Sequence, residues 1–405
     1  MLPFIFSFFN DFLFYYSFYV SYFVSNGMSA DKLAILFVAM NASKMITDIP
    51  VGLLSDRISR RNMLIIGILF RCLFCLLCIS SNNLIVFILS MVIVGIGNSC
   101  LWTHTWNYFY DYLKEKGKQG NFSYFMGKFY AISNTAIALA GFTGPYIYSK
   151  FDFNGIFILS IFSMIIAIFV ITQMPNYKPK KTIKTAVNLK ISNPINLISL
   201  ISVLVKKPKI MRLLILTILM DAMFIVFLDM NTTIMNNLKI DPQSTSQIVG
   251  FIALIRIFSN YFSGKTEKFM SFKFMHSSLL VLMSISIVLS FMGGKFMVFV
   301  VSTYLCIYPF FDTSIKTKLE HKIDSNTRAT IMSMASLLVS IMCISFNGLI
   351  GFISQHNGYF ASPICIFLIV MLILFMARNI MLFYRADKNI RSVAKNGINL
   401  IRKSK

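Results

Sequence analysis

Three aspartates, Asp11, Asp221 and Asp229, stand inside long apolar runs. An ionisable group in such a setting is costly and is kept where it serves a function. Loss of water disfavours the charged form of a carboxyl group, so such an acid can exchange a proton near neutral pH. Asp11 lies about two helical turns into its run, on a stripe with Tyr15, Tyr19 and Tyr22. Asp11, Asp221, Asp229 and Asp48 are candidates for proton coupling, with hydrogen-bonded structural acids as the plainer reading. Lys44 and Asp48 are four residues apart and can pair along one helix face, either as a structural ion pair or facing a solute. Arg71 and Arg256 also fall within apolar runs, where each can neutralise an acid or attract an anion. Trp102 and Trp106 are one turn apart, near Asn98, His104 and Thr105. Their faces can stack on a planar or cationic solute or simply pack. Tyr15, Tyr19, Trp102, Trp106, Lys44, Arg71 and Arg256 are thus candidates for a solute cavity. No nucleophile–base pair or metal-ligand spacing stands out, so no enzyme activity, cofactor or metal centre is expected. Cys72, Cys75 and Cys78 recur every third residue in an apolar run and read as small buried hydrophobes.

The elements that must position these residues are membrane helices. Hydrophobic residues make up 57% of the chain and charged residues 13%, against about 45–50% and about 25% in soluble domains. In lipid, backbone polar groups must be satisfied internally, by helices or a closed barrel. Barrel strands alternate in polarity, whereas these apolar runs are continuous and of helix-spanning length. Twelve spans are expected. Six run Phe4 to Ser25, Leu33 to Ser55, Met63 to Ser80, Leu84 to Tyr110, Phe122 to Tyr148 and Phe153 to Gln173. Six more run Met211 to Met235, Gln247 to Phe262, Phe274 to Met292, Phe296 to Ile315, Ala329 to Ile353 and Tyr359 to Tyr384.

The net charge of +23 is distributed as a topology signal, not as a nucleic-acid surface. With the N-terminus inside, 30 of the 38 lysines and arginines fall in cytoplasmic segments and 4 in outer loops. That split follows the positive-inside rule and places both termini in the cytoplasm. The first span lacks a basic leader region and a cleavage site, so it reads as a retained helix.

The chain divides into residues 1–175, a basic cytoplasmic linker at 176–208, residues 209–384 and a basic tail at 385–405. A shift of about 210 residues relates the halves. It carries Asp11 onto Asp221, Ser25 and Asn26 onto Met235 and Asn236, and approximately carries Gly52, Asp56 and Arg57 onto Ser263, Glu267 and Lys268. Repeats of this kind mark transporters whose site lies between the halves.

Gly52-Leu-Leu-Ser-Asp56-Arg57-Ile-Ser-Arg60-Arg61, between the second and third spans, resembles the signature loop of the major facilitator superfamily. Ser59 replaces the second glycine of that pattern. The resemblance implies an all-α membrane protein of about twelve transmembrane helices in two pseudo-symmetric six-helix bundles. It also implies that Gly52, Asp56, Arg57, Arg60 and Arg61 form a gating loop whose arginines meet acids of the other half. Thr47 to Gly52, Asp111 and Arg328-Ala329-Thr330 look similar to a subgroup that includes drug and natural-product exporters. Gly141-Phe-Thr-Gly144-Pro145 resembles, in degraded form, the antiporter motif of drug exporters. It is otherwise a helix-packing motif in which small residues permit close approach. Met91 stands where many proton antiporters carry an arginine before Gly95.

The expectation is a monomeric, proton-coupled exporter in a bacterial inner membrane. It would carry a small amphipathic molecule, such as an antibiotic or a modified antimicrobial peptide, with lipid and protons as its other partners. Two readings stand beside it: a proton-coupled nutrient importer and a non-transporting membrane receptor or sensor.

Overall fold

The computed structural model describes residues 1–55, 58–80, 82–177, 208–266, 294–320 and 325–356. Asp56, Arg57, Glu267, Lys268, nearly all of the central linker, the spans expected at Phe274 to Met292 and Tyr359 to Tyr384, and the basic tail lie outside the described residues. Within them the chain forms ten α-helices: α1 Leu2–Asp11, α2 Tyr15–Ser25, α3 Ala30–Ser55, α4 Arg60–Ser80, α5 Leu84–Glu115, α6 Phe122–Thr172, α7 Pro208–Asn237, α8 Pro242–Thr266, α9 Gly294–Glu320 and α10 Ser325–His356. Five of them contain stretches long and apolar enough to cross a bilayer: α4, α5, α6, α7 and α10. Large side chains such as Phe169, Phe251 and Phe299 are exposed on the outside, a surface that suits lipid rather than water.

Helix ends follow local chemistry. The Asn83 side chain accepts a hydrogen bond from Ile85 N (3.0 Å) and caps α5. Asp241 accepts one from Ser244 N (2.9 Å) ahead of Pro242, the first residue of α8. Gly27 turns the chain after α2 at φ 80°, a conformation that glycine adopts without a Cβ clash.

Two helices depart from the expected spans. The run Phe4 to Ser25 is broken: α1 stops at Asp11 and α2 starts at Tyr15. No proline or glycine lies at the break. Hydroxyls of α6 take over the released backbone groups instead. Ser160 Oγ accepts from Tyr15 N (3.1 Å), and Ser163 Oγ donates to Phe9 O (2.7 Å). Irregular backbone at membrane depth persists only where such partners replace the helical ones.

The second departure is α6, which has 51 residues and would extend roughly 75 Å if straight, far beyond a hydrocarbon core of about 30 Å. It turns back at Asp152 (φ 51°, ψ −156°) and so supplies two spans. A non-glycine residue in that region stores strain of order 1 kcal/mol or more. Asp152→Gly is expected to stabilise the purified protein by up to about 1 kcal/mol, read as a higher thermal midpoint. A lower midpoint would show that contacts of the aspartate outweigh the strain.

The chain's start, Arg60 and Glu115 lie on one face of the bundle, and Asn26, Asn82, Asp152 and Asp241 lie on the far face. Among the described residues two large apolar cores form, one within residues 6–174 and one within residues 210–350, with a small third at Val51, Met63 and Cys100. In the first, α4 crosses α5 where Gly67 meets Gly97. A Cβ on Gly97 would lie 2.9 Å from Gly67 O, so the crossing depends on small residues. The halves meet chiefly where α6 packs on α8 and α3 on α10, with α2 between α7 and α8.

Candidate functional site

Along the α6–α8 contact the backbones touch. A Cβ on Gly141 would fall 2.7 Å from Gly250 Cα and 2.8 Å from Ser246 O. Gly144 faces Phe18 and Ser246. Ser246 Oγ donates to Gly141 O (3.0 Å) and shares a 2.9 Å hydrogen bond with Ser17 Oγ. Gly141, Gly144 and Pro145 therefore sit at or beside the joint between the halves. At the α3–α10 contact, Lys44 and Asp48 form their ion pair at 3.6 Å. Ser99 and Ser336 donate to Asp48 (2.6 and 3.3 Å), and Lys44 Nζ lies 3.4 Å from Ser340 Oγ.

Between these two contacts lies a cavity lined from both halves, by Tyr16, Tyr19, Asp229, Asn231, Thr232 and Arg256 among others. Its volume is about 20 Å³, room for about one water molecule. Among the described residues, two polar atoms of its wall lack hydrogen-bond partners: Asp229 Oδ2 and Arg256 Nε. The Arg256 guanidinium lies over the Phe224 ring, 5.0 Å from its centre.

Tyr19 donates to Asp229 Oδ1 at 2.5 Å. The two residues are 210 positions apart, the same shift that relates Asp11 to Asp221. Residues equivalent under a two-fold touch each other only at its axis. The pseudo-two-fold that this shift implies would pass through this hydrogen bond.

Each acid of the Asp11/Asp221 pair has a hydroxyl donor and a basic partner within its own half. Asp11 accepts from Ser133 Oγ (2.6 Å) and Asn10 Nδ2 (2.9 Å), and lies 3.9 Å from Arg71. Arg71 also donates to Asn98 (3.1 Å). Asp221 accepts from Tyr308 (2.6 Å) and lies 3.2 Å from Lys316 Nζ.

Other candidates go elsewhere. Tyr15 packs against Phe74 and Phe157, and Tyr16, which the sequence pattern does not single out, takes the cavity wall in its place. Trp102 is 51% exposed on the outside of α5. Trp106 packs against Phe122 and Tyr130. Neither tryptophan lines the cavity. His104 is buried with Nδ1 2.8 Å from Cys100 O.

The gating loop also differs from expectation. Among the described residues, Arg60 keeps its partners within its own half: it pairs with Asp111 (2.5 Å) and donates to Asn107 O (2.8 Å), both on α5. Arg61 donates to Thr172 O (3.1 Å) and Met174 O (3.0 Å). Cations satisfy the orphan carbonyls and negative dipole at a helix C-terminus, and Arg61 does so at the end of α6. Gly52 lies in the last turn of α3.

Sequence reasoning misses Asp312, Lys316, Tyr308, Ser133 and Asn98 as site residues. An apolar run ending at Ile315 puts Lys316 in a cytoplasmic loop. α9 instead continues to Glu320, and the Asp312–Lys316 spacing of four residues is the available signal. It is the same spacing as Lys44–Asp48, in reverse order.

The family model described as Major Facilitator Superfamily matches residues 2–346. No curated protein matches the chain. Among solved structures, a mutant form of the nucleoside transporter NupG superposes with a TM-score of 0.66 at 17% identity, over 94% of this chain and 98% of that one. A bacterial homologue of the human lysosomal transporter Spinster, in an inward-facing and occupied conformation, gives 0.64 at 13% identity, over 93% and 95%. At these identities the likeness is one of fold. The family match spans most of the sequence, and the chain belongs to the Major Facilitator Superfamily of multi-pass membrane transporters, with its twelve-helix, two-bundle architecture.

Proposed function

We propose that the chain is a proton-coupled secondary transporter that exports a small amphipathic compound through the cavity between its halves. The carrying observation is that cavity itself, walled by aromatic rings, a carboxylate and a guanidinium contributed by both halves. The solute enters when one face opens, and the halves rock so that it leaves by the other. Asp11, Asp221 and Asp229 are the proposed proton carriers. Tyr16, Tyr19 and Arg256 are the proposed solute contacts. Residues 1–175 and 209–384 are the proposed moving bodies, in a monomer with both termini in the cytoplasm of a bacterial inner membrane.

Asp229 and Arg256 on the wall favour a second reading, uptake of a polar nutrient. NupG is described as a nucleoside transporter, which makes nucleosides the first solutes to try. Proteoliposomes with an imposed pH gradient and a known protein orientation separate the readings. The probes are a fluorescent amphipathic cation and a radiolabelled nucleoside. Export predicts gradient-driven movement of the dye toward the outer face, abolished in Asp229→Asn. Nucleoside movement toward the cytoplasmic face would replace export by uptake. Movement indifferent to the gradient would remove proton coupling.

A further inference from the structure

Behind the cavity wall the C-terminal half holds a second cluster of charges. Lys316 Nζ lies 2.7 Å from Asp312 and 3.2 Å from Asp221. The three side chains are 15–19% exposed, and the Asp221 and Asp312 carboxyl groups flank the same ammonium. Tyr308 closes the cluster with its 2.6 Å bond to Asp221, and Tyr304 lies near both acids. From the N-terminal half, Tyr130 of α6 faces Lys316 and Asp312. On α10 the Cys343 thiol adjoins, with Lys44 of α3 and Asp229 beyond it. Arg256 of α8 reaches the cluster through the Phe224 ring, which stacks on Tyr308 at 4.0 Å.

The charges do not balance. Among the described side chains in direct contact, two carboxylates and one ammonium leave a net negative charge in a largely buried site, where an unpaired charge is expensive. Two carboxylates drawn to one ammonium repel each other, and a proton held on the pair relieves that repulsion.

We infer that Asp221, Asp312 and Lys316 form a proton-binding site that holds one proton, shared by the two carboxyls, while the transporter is closed. When the half rocks open and water enters, the proton passes from the carboxylic acid to water, and both carboxylates are left paired with Lys316. The Tyr308–Phe224–Arg256 stack joins this site to the cavity wall, so a solute that displaces Arg256 also displaces the tyrosine holding Asp221. Only the use of the proton in transport rests on the coupled reading above; the bound proton does not need a solute.

Infrared spectroscopy of the purified full chain in liposomes tests the site. A neutral-acid C=O band is expected at neutral pH, shifting in D2O and disappearing at high pH. Asp312→Glu should move the band, and Asp221→Asn and Asp312→Asn should each remove it. The native titration and the glutamate variant keep the test decisive if an asparagine variant does not assemble. Absence of a neutral-acid band, or a band that survives both asparagine variants and responds only to Asp11 or Asp229, would overturn the site. A band that behaves as expected without any gradient-driven transport upholds the site and sinks the coupled reading instead.

Discussion

Gly141→Leu is expected to separate the two halves and abolish transport. The new side chain would start 2.7 Å from Gly250 Cα and 2.8 Å from both Gly250 N and Ser246 O. All three are backbone atoms, so no rotamer change relieves the clash. Overpacking a tight core costs about 1–3 kcal/mol and sometimes more. Here it would also break the Ser246–Gly141 and Ser17–Ser246 hydrogen bonds, each worth about 1 kcal/mol. The described cysteines are buried, so a thiol-reactive dye that fluoresces on coupling reports their exposure during heating. The midpoint should fall well below the native value, with Gly141→Ala intermediate. Gly348→Leu is the control, because nothing among the described residues lies within 4 Å of a Cβ there. Native-like melting and transport in Gly141→Leu would show that the α6–α8 contact is not needed for assembly.

Tyr19→Phe is expected to loosen the seal between the first helices of the two halves. The change keeps the ring and removes the donor to Asp229 Oδ1. The second oxygen, Oδ2, already lacks a partner among the described residues, so the carboxyl group would lose its one side-chain donor there. A hydrogen bond to a charged group is worth about 1.5–3 kcal/mol, which corresponds to roughly a 10- to 100-fold shift between closed and open forms. Thr232 lines the cavity, and Thr232→Cys offers a reporter there. A membrane-impermeant thiol reagent applied to the far face should label it roughly tenfold faster or more once Tyr19 is phenylalanine. Replacing Asp229 with leucine as well removes both partners and should restore much of the slow rate, because the unpaired group, not the missing bond, carries most of the cost. An unchanged labelling rate in Tyr19→Phe would refute the seal.

Most of the architecture is legible because lipid imposes a length and a polarity on every span. The apolar runs predict α4, α5 and the two arms of α6. What escapes depends on contacts between distant segments. The break after Asp11 is held by Ser160 and Ser163, about 150 residues away along the chain, and nothing near Phe12 announces it. Tyr16 rather than Tyr15 shares the cavity wall with Tyr19, one turn further along α2. Lys316 escapes for a different reason. Charge near the end of an apolar run reads as loop, yet a lysine met by two carboxylates can remain inside the bundle.

The Tyr19–Asp229 bond has a consequence for how such a molecule can be assembled. Two identical subunits related by a true two-fold would set the same side chain against itself at the axis. Two tyrosines would offer similar hydroxyls, and two aspartates would repel. A donor opposite an acceptor at that point is available only to halves whose sequences differ. Joining them in one chain is what allows equivalent positions to become complementary instead of identical.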